Sequence, residues 1–207
     1  MDKKFVITIG RQFGSGGRDL GRKIAEKLSI AYYDKELIDV AARESGLSNK
    51  YFASADEKLP SAFSYGFSPL GSFGYGGGLT GETIFKYQSD VIRSLAAQHS
   101  CVIVGRCADY ILREHPCCIS IFLCSSPEDR IARIMARDQH DRKKAHELMA
   151  KADKARAAYY NFYTDKTWGM ASSYDLCIDT SVLGIDTTDE TVCDFVRQCV
   201  EQAYSGR

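Results

Sequence analysis

The sequence predicts a three-layer α/β fold in which helices flank a central parallel sheet. Three observations predict it: short apolar runs without polar alternation, connections long enough to hold helices, and a glycine-rich turn directly after the first run. Continuous apolar runs are typical of strands that are buried on both faces of a parallel sheet. The candidate strands are "FVITI" (5–9), "CVIVG" (101–105), "CISIFL" (118–123) and "YDLCID" (174–179).

The segments between these runs show helical periodicity, as expected for the crossover connections of parallel strands. The clearest helix start is "SSPED", where Pro127 follows two serines and precedes two acidic residues. Helices are predicted over residues 18–28, 35–45, 82–98, 127–138, 141–162 and 187–203. A chain of 207 residues with this alternation fits a single domain.

The composition limits the classes of partner. The chain has 27 basic and 27 acidic residues, and this balance argues against a nucleic acid or a membrane surface as the main partner. The N-terminal apolar run is too short for a secretory signal or a membrane span, so we expect a cytoplasmic protein. Eight cysteines lie mostly within apolar runs, as expected for reduced, buried thiols. The oligomeric state stays open.

One stretch interrupts the alternation of strands and helices. Residues 61–81, "SAFSYGFSPLGSFGYGGGLTG", carry no charge and contain seven glycines. A segment of this length and composition inside a compact domain is usually functional or disordered. Two interpretations remain: a flexible loop at the rim of an active site, or an inert insertion.

The stretch "FGSGGRDLG" (13–21) lies between the first strand and the first helix. In this arrangement backbone N–H groups and the positive end of a helix dipole point at a phosphate. The pattern G-x-x-x-x-G-K-[ST] is not matched in any register, so an ordinary glycine turn stays open as the alternative. Arg18 directly follows the glycines, and its forked guanidinium is able to reach phosphate oxygens.

Five blocks in a fixed order extend over nearly the whole chain. They are "ITIGRQFGSGGRDLGRKIAEKL", "YYDKELI", "CVIVGRCADYIL", "DKARAAYYNFYTDKTWG" and "YDLCIDTSVLG". Together they resemble the cytidylate kinase-like proteins, a branch of the P-loop nucleoside monophosphate kinases. The resemblance implies one P-loop kinase-like domain over residues 1–207, a monophosphate-binding insert around 35–98 and a lid around 133–168. It also implies ATP and Mg²⁺ as cofactors.

The resemblance assigns residues on the side of the phosphate donor. The segment that matches the donor-phosphate loop consists of Gly14, Ser15, Gly16, Gly17 and Arg18. Gly17 takes the position of the family's lysine, and we expect Arg18 to substitute for that lysine as a catalytic cation. Asp19 takes the position of the hydroxyl that normally holds magnesium, which makes it the candidate metal ligand.

On the acceptor side, Asp34 matches the aspartate of the family motif "LDTGAMYR", whose closing arginine has no clear counterpart. Arg106 matches the arginine of the "GRDIGT" turn, and the aspartate of that turn has moved to Asp109. Arg106 and the glycine loop both follow strands, so both are expected at the sheet edge where ligands of such folds bind. Asp109 is either a carboxylate near magnesium or a local helix cap.

The segments "RIARIMARD" and "DKARAAYY" resemble the arginine-bearing lid of the family. Arg133, Arg137 and Arg156 are the best matches, and Arg137 and Arg156 are predicted to be catalytic. Phosphoryl transfer between two polyanions needs such cations, although a solvated basic helix face is the alternative. The aromatic residues of "YYNFYTDKTWG" either pack the lid on the core or stack on the acceptor base.

These assignments predict an enzyme that transfers a phosphoryl group from ATP to a nucleoside monophosphate, with CMP or dCMP as the expected acceptor. A second interpretation keeps the fold and changes the acceptor to another small phosphorylatable metabolite, since a fold does not determine a substrate. A third is a nucleotide-binding regulatory module that has lost catalysis. Gly17 and Asp19, at the positions of the lysine and the hydroxyl, motivate the third.

Overall fold

The computed structural model describes residues 4–34 and 81–205. The predicted helix 35–45, nearly all of the stretch 61–81 and the first part of the predicted insert therefore lie outside the described residues.

Within the described residues, five parallel strands form one sheet. They are β1 (Val6–Arg11), β2 (Ala31–Tyr33), β3 (Cys101–Val104), β4 (Cys118–Cys124) and β5 (Leu176–Asp179). Their order across the sheet is β2-β3-β1-β4-β5, so β1 is central. Val6 of β1 pairs with Cys101 on one side and with Cys118 on the other. Because all strands are parallel, their carboxyl ends meet at one edge of the sheet.

Helices connect and cover these strands. They are α1 (Gly17–Lys27), α2 (Gly81–Gln98), α3 (Ala108–Ile111), α4 (Pro127–Asp138), α5 (Arg142–Tyr163) and α6 (Thr180–Ser205). The last of them is interrupted at Gly184, whose φ of 73° and ψ of 167° are not helical. A short 3₁₀ turn, Ala171–Ser173, precedes β5.

The starts of two helices follow from local chemistry. At α4, the Ser126 hydroxyl accepts a hydrogen bond from the Asp129 N–H at 3.2 Å, and Pro127 is the first helical residue. At α5, the Asp141 carboxylate accepts from the Lys144 N–H at 2.7 Å. Both side chains satisfy an N–H group that has no partner inside its own helix.

Two apolar clusters lie on the two faces of the sheet. The first packs α1 and α6 on the sheet through Ile7, Ile9, Leu20, Ile24, Val102, Val104, Val192 and Val196. The second packs α2 and α3 on the sheet through Val6, Val91, Ile92, Leu95, Cys101, Ile103, Ala108 and Ile111. Alternate residues of β1 and β3 supply opposite faces, which explains why these strands are apolar throughout. The predicted three-layer α/β fold is confirmed.

The structure differs from the sequence-based elements at the short helix α3, which was not predicted, and at two further places. Strand β2 was not predicted, because three residues are too few to show a periodicity. Helix α6 begins at Thr180, directly after β5, whereas the sequence pattern predicts a start at residue 187. The break at Gly184 divides the helix, so the pattern detects only the part that follows it.

Among the described residues, no helix is both long and apolar enough to cross a membrane. All eight cysteines lie within these residues and are free. Cys101, Cys107, Cys117 and Cys193 are buried, as expected for apolar runs, whereas Cys177 is exposed.

Candidate functional site

A cavity of about 760 Å³ opens at the carboxyl ends of β1, β2 and β3. Arg11 is the last residue of β1, Asp34 directly follows β2, and Gly105 and Arg106 directly follow β3. Helix α5 forms another wall of the cavity. A crevice at this edge of a parallel sheet is where α/β folds of this kind bind their ligands.

Among the described residues, the charged side chains that line the cavity are mostly cationic. They comprise four arginines and one lysine against two aspartates, namely Arg11, Arg18, Arg106, Arg156, Lys151, Asp34 and Asp109. Like charges that lie close together at a partly buried site repel one another, and a bound polyanion relieves this repulsion. The cavity is therefore suited to a small ligand with several negative charges.

Asp34 connects two of these arginines. Its side chain is 11% exposed and forms a close ion pair with Nε of Arg18. Its other carboxylate oxygen lies 3.7 Å from Nη2 of Arg11. One carboxylate thus orients two guanidinium groups and neutralises only part of their charge.

Arg106 lies in an unusual backbone conformation at the end of β3. Its φ is 59° and that of Cys107 is 54°, both in the left-handed region that residues other than glycine seldom adopt. The Gly105 N–H donates to the Ile9 carbonyl at 3.0 Å, which fixes the start of this turn against β1. Strain of this kind is found most often at functional sites, and here it brings Arg106 to the cavity.

Arg156 reaches the cavity from α5. Its Nη1 donates to the backbone carbonyl of Arg11 at 2.9 Å, and its guanidinium lies 5.5 Å from the ring centre of Phe13. Burial, together with the nearby charge of Arg11, lowers the pKa of Arg156 to about 9. Arg156 is therefore still protonated at neutral pH and is available to an anion.

The second carboxylate of the cavity, Asp109, lies in an aromatic wall that contains Tyr160, Trp168 and Tyr174. The Tyr160 O–H donates to Asp109 at 2.6 Å, and the Tyr160 ring stacks on Tyr174 with centroids 6.0 Å apart. Burial raises the pKa of Asp109, although the hydrogen bond from Tyr160 opposes this effect. Trp168 and Tyr174 both pack on Phe122. This wall offers aromatic rings and a hydrogen-bonding carboxylate to the apolar part of a ligand.

The glycine loop lies next to the cavity, between β1 and α1. Gly14 and Gly16 have φ angles of 81° and 83°, which a residue with a side chain would adopt only with strain. Ser15 between them is fully buried and its hydroxyl donates to the Gln12 carbonyl at 2.9 Å. In the described part of the chain, no side chain caps the first turn of α1. The N–H groups of that turn are therefore suited to an anion.

Side chains from three helices hold this loop in place. Around Phe13, the backbone N–H donates to Asp153 Oδ1 at 2.7 Å and the carbonyl accepts from Arg130 Nε at 2.7 Å. Arg130 and Asp153 also form a close, largely buried ion pair. The Gly14 carbonyl accepts from Arg133 Nη1 at 3.3 Å, and the Ser15 carbonyl accepts from Thr180 at 2.9 Å.

The structure brings five of the predicted site residues into one cavity: Arg18, Asp34, Arg106, Asp109 and Arg156. It places Gly14, Ser15, Gly16, Gly17 and Asp19 in the adjacent loop and the first turn of α1. Arg137 lies outside the cavity on α4, where it is bonded to Asp138 at 2.7 Å and lies 5.0 Å from the ring centre of Phe13.

Asp19 is an exposed carboxylate in the first turn of α1. Asp138 raises the pKa of Arg137, and the negative charge of Asp19 adds weakly to this effect. No group of three metal-binding side chains exists within residues 4–34 and 81–205. Magnesium in such sites needs only one or two carboxylates besides substrate phosphates, and Asp19 fits that requirement.

Sequence reasoning missed two charged cavity residues, Arg11 and Lys151. Arg11 could have been found, since it ends the first strand and the ends of parallel strands were already expected at the site. Lys151 lies on α5 beside Leu148, Ala152 and Ala155, which also line the cavity. The helical spacing of this apolar stripe is a signal that a cavity-facing surface was present.

Comparison with known proteins adds the family. The profile of the cytidylate kinase-like family matches residues 6–182. The chain belongs to this family. The cytidylate kinase of Methanocorpusculum labreanum is 27% identical over 175 residues, which cover 84% of this chain and 86% of that relative.

Solved structures support the fold assignment. The crystal structure of an uncharacterised protein from Eubacterium ventriosum is 31% identical, covers 94% of this chain and 99% of its own, and superposes with a TM-score of 0.73. A gluconokinase from Sinorhizobium meliloti is 12% identical, covers 100% and 99%, and has a TM-score of 0.56. The fold is therefore that of the P-loop kinases, and membership of a kinase-like family indicates a phosphotransferase that acts on a small molecule.

Proposed function

We propose that this protein transfers the γ-phosphoryl group of ATP to a nucleoside monophosphate, with CMP or dCMP as the acceptor. One observation carries the proposal: a cavity of about 760 Å³ beside the glycine loop, lined by more cations than carboxylates. Its volume suits a nucleotide, and its charge suits a phosphate. The relative named cytidylate kinase supports the choice of a cytidine nucleotide.

The reaction needs little covalent help from the protein. An oxygen of the acceptor phosphate attacks the γ-phosphorus of ATP, and the bond from that phosphorus to the β,γ-bridging oxygen breaks. The bridging oxygen leaves on ADP with the bonding electron pair, and the acceptor becomes a nucleoside diphosphate. An ionised acceptor phosphate is already a nucleophile, so positioning and charge neutralisation are what the site has to supply.

We assign the residues of the site to these tasks by their placement. The backbone N–H groups of the glycine loop bind the donor phosphates. Arg106 holds the acceptor phosphate, and Asp34 orients Arg18, which contributes positive charge on the acceptor side. Arg156 approaches the transferred group from α5.

On the donor side, Arg137 belongs to α4, and the negative charges of Asp138 and Asp19 raise its pKa. Asp19 is the residue that would hold Mg²⁺. When bound, the ion would neutralise negative charge on the phosphates of ATP.

A second candidate acceptor is a hydroxyl group on a small metabolite. Asp34 favours it, because a largely buried carboxylate at the carboxyl end of β2 is placed to accept the hydroxyl proton. The two arginines that contact Asp34 disfavour it, because they already engage its carboxylate oxygens.

The test is ADP release from ATP and Mg²⁺ with a panel of acceptors, followed by chromatographic identification of the product. The panel contains CMP, dCMP, UMP, AMP, GMP, gluconate and shikimate. We expect CDP or dCDP as the main product. Turnover of a hydroxyl acceptor alone would favour the second candidate, and ATP-dependent stabilisation without turnover would favour a regulatory module.

A further inference from the structure

We propose that Arg11 is the cation that binds the transferred phosphoryl group, in place of the lysine that is missing from the glycine loop. This inference rests on the proposed phosphotransferase function. It assigns to a residue at the end of β1 the role that the sequence had suggested for Arg18.

The first observation is the path of the Arg11 side chain. A Cβ at Gly17 would lie 2.8 Å from the Arg11 Cβ and 2.9 Å from its Cγ. Both distances are too short for carbon atoms in contact, so a lysine at position 17 does not fit while residue 11 carries this Cβ and Cγ. The Arg11 side chain therefore requires a glycine at position 17, where the family has its lysine.

The second observation is where the guanidinium ends. A Cβ at Gly105 would overlap Nη1 of Arg11, so the group lies directly on the backbone at the end of β3. Its Nη2 lies 3.7 Å from Asp34 at the end of β2. The side chain thus begins against the first residue of α1 and ends in the acceptor cavity. It crosses the space between the donor loop and the acceptor, where a transferred group has to pass.

The third observation concerns charge. The Arg11 side chain is 17% exposed, and burial lowers its pKa to about 10. The negative charge of Asp34 raises this pKa, whereas the positive charges of Arg106 and Arg18 lower it. It therefore remains charged at neutral pH. Asp34 makes a closer ion pair with Arg18 than with Arg11, so much of the Arg11 charge is left to attract an anion.

Arginine is suited to this role for a geometric reason. A forked guanidinium donates two parallel hydrogen bonds to two oxygens of one phosphoryl group, whereas an ammonium acts as a point charge. The contacts with Gly105 and Asp34 hold the plane of the fork before the substrate binds, which reduces the reorganisation that transfer requires.

The experiment compares the wild type with Arg11→Ala, with Gly17→Lys and with a double variant that combines Arg11→Gly and Gly17→Lys. We expect each single change to lower kcat about a hundredfold or more, as for the loss of one preorganised donor to the transition state. In the double variant Arg11→Gly removes both the Cβ and the Cγ that a side chain at position 17 would meet, so the lysine has space and kcat should exceed that of Arg11→Ala by about tenfold. Arg197→Ala, which removes an exposed arginine on α6, is the matched control.

A double variant no more active than Arg11→Ala, although its unliganded melting temperature equals that of the wild type, would overturn the proposal. If the alanine variant does not fold, Arg11→Lys replaces it, because lysine keeps the charge and loses the fork. A tenfold or larger loss of kcat in Arg11→Lys then supports the proposal, and full activity overturns it.

A second measurement separates this inference from the proposed acceptor. Aluminium fluoride with ADP imitates the transferred group, and its stabilising effect beyond that of ADP alone is read as a shift in Tm. Loss of this shift in Arg11→Ala, with the shift intact in Arg197→Ala, supports the role of Arg11 even if no nucleoside monophosphate is phosphorylated. An unchanged shift in Arg11→Ala, or none in the wild type, overturns that role.

Discussion

The glycine loop and the acceptor cavity lie side by side, but they are built in different ways. The loop presents backbone groups, and its own carbonyls are bonded by Arg130, Arg133 and Thr180 from surrounding helices. The cavity presents charged side chains, and two of its arginines share one carboxylate. The loop is thus held in one conformation by many bonds, whereas the described residues of the cavity concentrate positive charge that a bound anion would neutralise.

This difference indicates how stability and function are divided between the two regions. Residues that hold the loop contribute to the free energy of folding, because their removal leaves buried polar groups without partners. The cations of the cavity repel one another in the unliganded protein, so their contribution appears when an anion binds. Substitutions in the two regions should therefore differ in which measurement they change.

The largest effect is expected for Asp153→Ala. This change removes the acceptor of the Phe13 N–H and leaves Arg130, whose side chain is 7% exposed, without its buried ion-pair partner. Breaking one partner of a buried pair costs about 3–5 kcal/mol of unfolding free energy. Thermal unfolding should show a Tm lower by roughly 10 °C.

The control is Asp194→Ala, which breaks the ion pair with Arg197. That pair has the same chemistry but is 55% and 67% exposed, so its loss should change Tm only slightly. Equal effects of the two changes would contradict the view that the loop depends on buried support.

Next in size is Arg106→Ala in the acceptor cavity. We expect the acceptor KM to rise about tenfold or more, because a charged hydrogen bond to the acceptor phosphate is lost, while the KM for ATP changes little. The unliganded Tm should fall much less than in Asp153→Ala, since removal of Arg106 also removes its repulsion of Arg11. A Tm as low as that of Asp153→Ala, with unchanged acceptor kinetics, would place Arg106 among the structural residues instead.

The same comparison explains what the sequence could predict. The glycine loop is a contiguous motif between a strand and a helix, so its position could be located directly. Arg106 could be placed because it follows a long apolar strand. The close ion pair of Arg130 and Asp153 could not be found, because it depends on how α4 and α5 pack against a loop more than a hundred residues earlier.

Arg11 shows a further limit of sequence reasoning. It lies only six residues before Gly17. The Cβ and Cγ of Arg11 lie close to the backbone of Gly17, and no rule of sequence spacing predicts such a contact. Asp34 was found through the family motif, although the strand that delivers it, Ala31–Tyr33, was too short to detect. Features set by tertiary packing were missed, whereas features set by local pattern were predicted.

A smaller effect is expected for Arg156→Lys. The variant keeps the charge but loses the fork that contacts the Arg11 carbonyl and lies near Phe13. We expect kcat to fall by about tenfold, with nucleotide affinity nearly unchanged, because the cation acts mainly on charge that develops during transfer. Trp168 lies in the aromatic wall of the cavity. Its fluorescence, measured with ADP and CMP together, shows whether the ligands change the surroundings of Trp168 in the variant as they do in the wild type. Normal turnover would remove Arg156 from the catalytic residues.

The smallest effect is expected for Tyr160→Phe. The pH dependence of the lost stability shows whether the missing hydrogen bond to Asp109 is the cause. The lost O–H donates to Asp109 at 2.6 Å, and burial already raises the pKa of this carboxyl. Without the hydrogen bond the folded-state pKa rises further above the unfolded value, so stability falls as pH rises through that interval.

Urea unfolding should therefore show a loss of about 1–2 kcal/mol at pH 7.5 and a smaller loss at pH 4.5. Tyr204→Phe is the matched control, because the Tyr204 hydroxyl donates to the backbone carbonyl of Lys4 at 2.6 Å, an acceptor that does not titrate. Its loss should be the same at both pH values. If Tyr160→Phe is equally independent of pH, Asp109 is not an ionised partner of Tyr160, and the aromatic wall holds a neutral carboxyl group in the cavity.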